Sequence, residues 1–262
     1  MSNLKNKQKV LNSLKNKSLV KIISGIQNYD KQKTLSVAMA AELGEASAVD
    51  ICDDVEIIRT VRASVELPIF VSSIDPKKLI SAQTLGADVL EIGNYESFYK
   101  EGKMFTPKEI LEIVKSVKKS ISEDTLLCCT VPATLEVENQ IKLSKELLNL
   151  GVDILQTEGF SPDIPASDRK DETFTDMLKA VPSLANTVEL RKALPDANII
   201  CASGIVPTSS LLAIAVGASG IGVGTYINSC SSQVQMTERV EELMNAVQSV
   251  ASYDRSKTLA LR

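Results

Sequence analysis

The chain has 262 residues, with 29 basic and 33 acidic side chains and a formal charge of −4. Apolar residues make up 44 % and charged residues 24 %, ordinary globular values that exclude collagen-like, disordered and disulfide-scaffold readings. There is no histidine, which excludes Ser-His-Asp and Cys-His catalysis and HExxH zinc sites and leaves acid–base work to Asp, Glu, Lys, Tyr or Cys. The first 29 residues hold six lysines and no acid, so the rest of the chain is distinctly acidic. Within them Leu4, Leu11 and Leu14 share one helical face, which predicts a short N-terminal helix closing the bottom of the fold. This start has neither the apolar core of a secretory signal nor the Arg and Ser content of a transit peptide.

Eight short apolar runs follow: LVKIISGI (19–26), ASAVDIC (46–52), LPIFVSSI (67–74), ADVLEIG (87–93), TLLCCTV (125–131), VDILQTE (152–158), ANIICASGI (197–205) and ASGIGVG (218–224). Continuous aliphatic and β-branched runs of this length read as strands buried on both faces of a parallel sheet. Amphipathic segments separate them, and Asp75-Pro76, Thr106-Pro107 and Val206-Pro207 mark three helix starts. Gly44, Gly86, Gly151 and Gly217 each end a helical segment, where a left-handed cap suits glycine. Eight strand–helix units in about 250 residues predict an α/β chain folded as a single (β/α)8 TIM-type barrel. The expected organisation is a basic helical extension over 1–18, the barrel over 19–251 and a tail over 252–262. An open doubly wound sheet would need a Gly-rich fingerprint after the first strand, and SGIQNYDK is not one. No run of 18 apolar residues predicts a membrane span, and an acidic chain without aromatic–basic interleaving predicts no nucleic-acid partner. The five cysteines show no C-x-x-C pair and read as small buried hydrophobes.

Such barrels carry their sites on the loops at the C-terminal strand ends. Those ends offer Asp50, Ser72, Glu91, Asn94, Gln156, Glu158, Thr225 and Asn228, with Lys21 inside the first strand. Lys21 is a candidate Schiff-base or general-base lysine, with an ion pair to Glu91 or Asp50 as the structural alternative. Glu91 is the first candidate general base, Glu158 mirrors it two units later, and Asp50 is a candidate for a substrate hydroxyl. Five of the twelve glycines fall between 204 and 224. The loops after the seventh and eighth strands are where barrels often bind phosphate, so Ser203, Gly204, Gly224 and Thr225 are the candidate phosphate-binding residues. Nothing in the spacing of the carboxylates argues for a metal, and no cofactor is called for. Two long loops, 94–106 and 159–171, have the character of lids. The first holds four of the ten Tyr and Phe residues, and a homo-oligomer or a protein partner is its other use.

PIFVSSIDP, GADVLEIGNYESFY, VDILQTEG, PSLANTVELRKALP and CASGI…AIAVGASGIGVGTYIN together resemble the hypothetical chloroplast reading frame 23 family of algal plastids and cyanobacteria. The similarity covers nearly all of the chain after about residue 19 and implies a TIM-type barrel in the plastid, the chloroplast stroma. A plastid-encoded member would need no transit peptide. The resemblance implies no reaction. Two departures stand out. Val131-Pro132-Ala133-Thr134-Leu135 has alanine where the family pattern has histidine, so a histidine there is not essential to a shared reaction. Gly44-Glu45 stands where the pattern has two glycines.

Two functional readings follow. In the first, the chain binds a small phosphorylated metabolite and acts on it as an isomerase, aldolase or lyase without histidine. In the second it is a non-catalytic sensor of such a ligand, and Tyr95, Phe98, Tyr99 and Phe105 meet a protein partner.

Overall fold

The computed structural model describes residues 2–99, 101–159 and 172–260. In chain order the elements are α1 (Ser2–Lys15), β1 (Leu19–Ile23), α2 (Lys31–Leu43), β2 (Ala48–Cys52), α3 (Val55–Ser64), β3 (Ile69–Ser73), α4 (Pro76–Leu85) and β4 (Val89–Ile92). There follow α5 (Glu96–Tyr99), α6 (Pro107–Lys118), β5 (Leu126–Val131), α7 (Val137–Asn149), β6 (Ile154–Thr157) and α8 (Glu172–Ala193). The last are β7 (Ile199–Ala202), α9 (Pro207–Ala215), β8 (Gly220–Val223), α10 (Thr225–Asn228) and α11 (Gln233–Ala260). Residues 252–260, expected as a tail, continue α11.

Each strand falls inside one of the eight predicted runs, and the eight pair in sequence order as a closed parallel barrel. Closure is made by β1 against β8, with Leu19 opposite Gly220 and Lys21 opposite Gly222. A Cβ on Gly220 would lie 2.5 Å from the Cβ of Leu19, so only glycine lets these two strands meet. Outside the seam, α11 packs on α2 and α9. The helix starts follow elementary capping chemistry. Asp30, Asp54 and Asp75 accept backbone N–H bonds at the heads of α2, α3 and α4, and Thr106 and Glu109 form a reciprocal capping box on α6.

Strand side chains alternate between two cores. The larger lies between the sheet and the helices. The smaller fills the lower barrel with Leu19, Ala48, Phe70, Val89, Leu126, Cys128, Ile154 and Ile200. Val10 and Leu14 of α1 plug this lower core from below, with Leu11 packed at its edge. The predicted bottom helix is therefore present, but Leu4 is 65 % exposed and takes no part in the plug. Its burying face is set by Val10 and Leu14, four residues apart on one side of the helix.

Three of the four predicted glycine caps are left-handed: Gly86, Gly151 and Gly217 have φ of 108°, 82° and 108°. Gly44 is not, with φ −84°. The left-handed residue there is Glu45, at φ 60°. Gly44 is glycine for a packing reason, since a Cβ would sit 2.6 Å from Val240 Cγ1 of α11. A glutamate in the left-handed region costs about 1 kcal/mol. Glu45→Gly is expected to stabilise the protein by about 0.5–1 kcal/mol, read as a midpoint increase in urea unfolding at unchanged m-value.

Candidate active site

The site is built on a polar layer lying directly above the lower apolar core. Lys21, Asp50, Ser72, Glu91, Thr130 and Gln156 point inward from β1 to β6 and are essentially inaccessible to solvent. The Lys21 ammonium donates to Glu91 Oε2, lies 3.7 Å from Asp50 Oδ2 and stands 4.8 Å above the centre of the Phe70 ring. Ser72 Oγ donates to Asp50 Oδ1 at 2.6 Å, and Asn94 Nδ2 donates to Asp50 Oδ2 at 3.0 Å. Gln156 Nε2 donates to Glu91 Oε1 at 2.7 Å and to Asn94 Oδ1 at 2.8 Å, closing the ring of contacts. Asn94 reaches inward because it follows Gly93 and itself has φ 63°. Thr130 fixes it there, accepting its backbone N–H at 3.2 Å.

Burial disfavours the Lys21 charge, but Glu91 and Asp50 beside it outweigh burial and hold its pKa above the ordinary value. Burial pushes the Asp50 carboxyl up to about 7, with Glu91 adding to the effect and Lys21 opposing it. Cys52, Cys128, Cys129 and Cys201 are buried thiols, each raised in pKa by burial, as small core residues should be.

Above this layer, at the C-terminal ends of the strands, opens a cavity of about 910 Å³. Asn94, Gln156 and Gly222 contribute to its floor. Its wall includes Glu158, Ser203, Gly204, Gly224, Thr225 and Asn228. All four phosphate candidates thus line one cavity, together with Glu158. Lys21, Asp50 and Glu91 do not line it. Lys21 is locked between two carboxylates as an ammonium, so the geometry does not present it for attack on a ligand. Of its two sequence readings the ion pair is the one the structure draws.

Glu158 directly follows β6 and is 2 % exposed. The Tyr99 hydroxyl donates to its Oε1, and the backbone N–H groups of Ala133 and Glu96 lie 3.3 Å from its two oxygens. Burial is the largest influence on it and pushes its carboxyl up to about 7. Burial, then the Glu158 charge, raises Tyr99, so the hydroxyl stays a donor. Three of the four aromatics of the 94–106 loop turn inward, and Phe98 is half-buried. Tyr95, Tyr99 and Phe105 are buried, and the Tyr95 and Phe105 rings stack 4.5 Å apart. Aromatics read as a lid pack inward because their area is worth more in the core than in water. Of the other long loop, 160–171 lie outside the described residues.

The glycine cluster separates into two kinds. A Cβ on Gly204 would meet the Lys179 carbonyl at 2.6 Å, one on Gly217 would meet Arg191 at 2.6 Å, and one on Gly222 would meet Ala202 and Ile23 at 3.0 Å. Gly204, Gly217 and Gly220 are thus demanded by packing, whereas at Gly222 the side chains of Ala202 and Ile23 need give only a few tenths of an ångström. At Gly224 the nearest atom would be 3.5 Å away, an ordinary contact, and its φ of −113° suits any residue. Ser203 adopts φ 76° and its Oγ donates to Glu96 Oε2 at 2.8 Å. Three cations missed from sequence also line the cavity: Lys33, Lys179 and Arg239. They come from helix surfaces, where an ordinary solvated lysine or arginine looks the same. Lys179 is paired with Asp176 at 2.8 Å. Arg239 donates to the Tyr226 carbonyl and to Ser229 Oγ, and lies 4.5 Å above the Tyr226 ring.

Asp75 accepts the Lys77 N–H at the head of α4. Among the described residues no group of three or more Cys, Asp or Glu side chains is arranged to hold a metal ion. Also among the described residues, no helix is long and apolar enough to cross a membrane.

Solved structures share this fold at low identity. One described as native KDPGal matches with a TM-score of 0.59 at 13 % identity, over 89 % of this chain and 96 % of its own. Thiamine phosphate pyrophosphorylase from Pyrococcus furiosus gives 0.58 at 17 %, over 90 % and 98 %. QR15, an aldolase, gives 0.58 at 14 %, over 94 % and 98 %. Sequence relatives are far nearer. The uncharacterized protein ycf23 of Pyropia yezoensis is 35 % identical over 88 % of this chain and 83 % of its own. Those of Cyanidium caldarium and Cyanophora paradoxa are 35 % and 33 % identical, covering 95 % and 94 % of this chain and 98 % and 97 % of theirs. A family model described as protein of unknown function DUF561 matches residues 2–253. The chain is a member of the DUF561 family, alongside the ycf23 proteins of red algae and a glaucophyte.

Proposed function

We propose that the protein binds a small phosphorylated metabolite in the cavity at the strand ends and moves a proton on its carbon skeleton, as an isomerase, aldolase or lyase. The observation that carries this reading is the convergence on one cavity of the loops after β7 and β8 with a buried carboxyl, Glu158, that titrates near 7. A carboxyl poised near neutrality can both take and return a proton. Tyr99 and two backbone N–H groups fix its orientation.

Charge decides where the phosphate sits. Glu96, bonded to Ser203, makes that side of the mouth unfavourable to an anion. The favourable side is the turn at Gly224 and Thr225, next to Arg239 on Tyr226 and Ser229, and Lys33 also lines the cavity. Gly224 has no packing reason to lack a side chain, which fits close approach of a ligand to the backbone. Lys21, Glu91 and Asp50 act as positioning residues, holding Gln156 and Asn94 in the floor. Chemistry through a lysine imine does not suit this geometry, so the reading narrows to proton transfer by Glu158. Phosphate-linked names and aldolase names among the fold neighbours agree with this class, but at under 20 % identity they bear on the fold alone. The family resemblance adds the chloroplast stroma as the site of action.

Inorganic phosphate and ribose 5-phosphate at millimolar concentration are expected to raise the melting temperature by several degrees. Gly224→Asp, which fits sterically but adds a negative charge, should remove that shift at an unchanged ligand-free melting temperature. Absence of any shift with phosphorylated compounds would overturn the phosphate reading.

Proton transfer has its own signature. Incubation with carbonyl-bearing sugar phosphates in D2O should wash out a C–H proton next to the carbonyl, followed by NMR. Glu158→Gln should slow this by roughly 10²- to 10⁴-fold while the phosphate-induced melting shift persists.

Stability carries a third. The unfolded chain releases the Glu158 and Asp50 protons in the ordinary carboxylate range, whereas the folded chain keeps them to about 7. Between those values the folded state binds more protons, so its stability falls as pH rises. The melting temperature should decline from about pH 4.5 to 7, and Glu158→Gln should flatten that decline.

A further inference from the structure

We infer that Gln156 reads a hydroxyl or amino hydrogen of the ligand at the cavity floor, which makes the ligand class a phosphorylated polyol or aminopolyol. This rests on the proposed function only for the phosphate. The Gln156 side chain is fully buried. Its Nε2 is committed to Glu91 Oε1 at 2.7 Å and Asn94 Oδ1 at 2.8 Å, two atoms that can only accept. Turning the amide over would set its oxygen against the carboxylate that Lys21 holds in place. The orientation of Gln156 is therefore dictated by the charged layer beneath it.

Oε1 then points the other way, and among the described residues it has no hydrogen-bond donor. The atoms on that side belong to Gly222, where a Cβ would lie 3.2 Å from Oε1. Neighbouring Ile23 and Ala202 offer apolar side chains in the same wall. A buried amide oxygen with no protein donor, on a residue that lines the cavity, is an acceptor kept for something that enters. Asn228 repeats the pattern. Its Nδ2 donates to the carbonyls of Ile23 at 2.8 Å and Gly224 at 3.0 Å, and its buried Oδ1 has no donor among the described residues. Asn228 lines the same cavity. Two amides, each held by its NH2 on groups that cannot donate, give the cavity fixed acceptors. A ligand end made only of acceptors, such as a carboxylate, is repelled there, and a hydrocarbon end leaves them unsatisfied.

The test uses four probes with the full chain: ribitol 5-phosphate, n-pentyl phosphate of the same carbon count, ribitol, and inorganic phosphate. Affinities are read by isothermal titration. Ribitol 5-phosphate should bind about tenfold or more tightly than n-pentyl phosphate, since a site built around a ligand hydroxyl rejects the analogue lacking it. Gly222→Ala places a methyl in the space before Gln156 Oε1. It should weaken ribitol 5-phosphate by about fivefold or more and leave inorganic phosphate unchanged. Gln156→Leu should bring the two organic phosphates within about twofold of each other, and Gly222→Ala keeps the question decidable should that variant not fold. Equal or tighter binding of n-pentyl phosphate to the wild type overturns the inference and leaves the phosphate reading standing. So does discrimination that survives Gly222→Ala undiminished. Binding of ribitol, weakened by Gly222→Ala, with no response to inorganic phosphate, supports the floor acceptor and rejects the phosphate turn. Failure of both ribitol probes to bind overturns the inference.

Discussion

A single ammonium group holds the centre of this molecule together. Lys21 is buried inside the barrel, and removing such a charge from water costs several kcal/mol before any partner is counted. Asp50 on the adjacent strand β2, Glu91 across the barrel on β4, and the ring face of Phe70 offset that cost. Two acids beside one ammonium still leave buried acceptor oxygens to satisfy, and donors crowd around them: Ser72 and Asn94 on Asp50, Gln156 and Thr130 on Glu91. Each of these donors is then held in one orientation. The floor of the cavity inherits its geometry from a charge that never reaches it.

Ring closure and charge burial are coupled through β8. Its inward positions are Gly220 and Gly222, directly beside Leu19 and Lys21. Bare backbone on β8 lets β1 come close enough to complete the sheet, and it leaves space above the polar layer on that side. The cavity accordingly opens between β1, β6 and the β7 and β8 loops. Its lining is mixed in charge, with Glu96 and Glu158 together with Lys33 and Arg239.

Much of the architecture was legible in the residues. The eight runs of strand type, the order of the units and the pairing of Lys21 with acids all came from hydrophobic pattern and the rarity of unpaired buried lysine. Depth was not legible. Two-residue alternation says that Lys21, Glu91 and Glu158 face inward, but not that the first two lie one layer below the third. The wall cations Lys33, Lys179 and Arg239 carried no local mark, because their meeting depends on how three separate helices dock. Glycine was read too uniformly: at Gly44, Gly204 and Gly220 the constraint is a neighbouring chain segment at under 3 Å, which no single-residue propensity records. Tyr95 and Phe105 misled for a related reason, as a loop assignment says nothing about which way its rings turn.

The stacking of an oily lower interior, an ionic middle and a hydrated mouth has a consequence for how this lineage can change. The middle layer isolates one end of the barrel from the other. Residues at the base can drift with the demands of folding, and those at the rim can be exchanged for a different chemistry, without either set feeling the other directly. What cannot drift is the middle, where each side chain is spoken for by two or three others. Barrels partitioned this way can keep their frame across deep divergence while the work done at the mouth is rewritten.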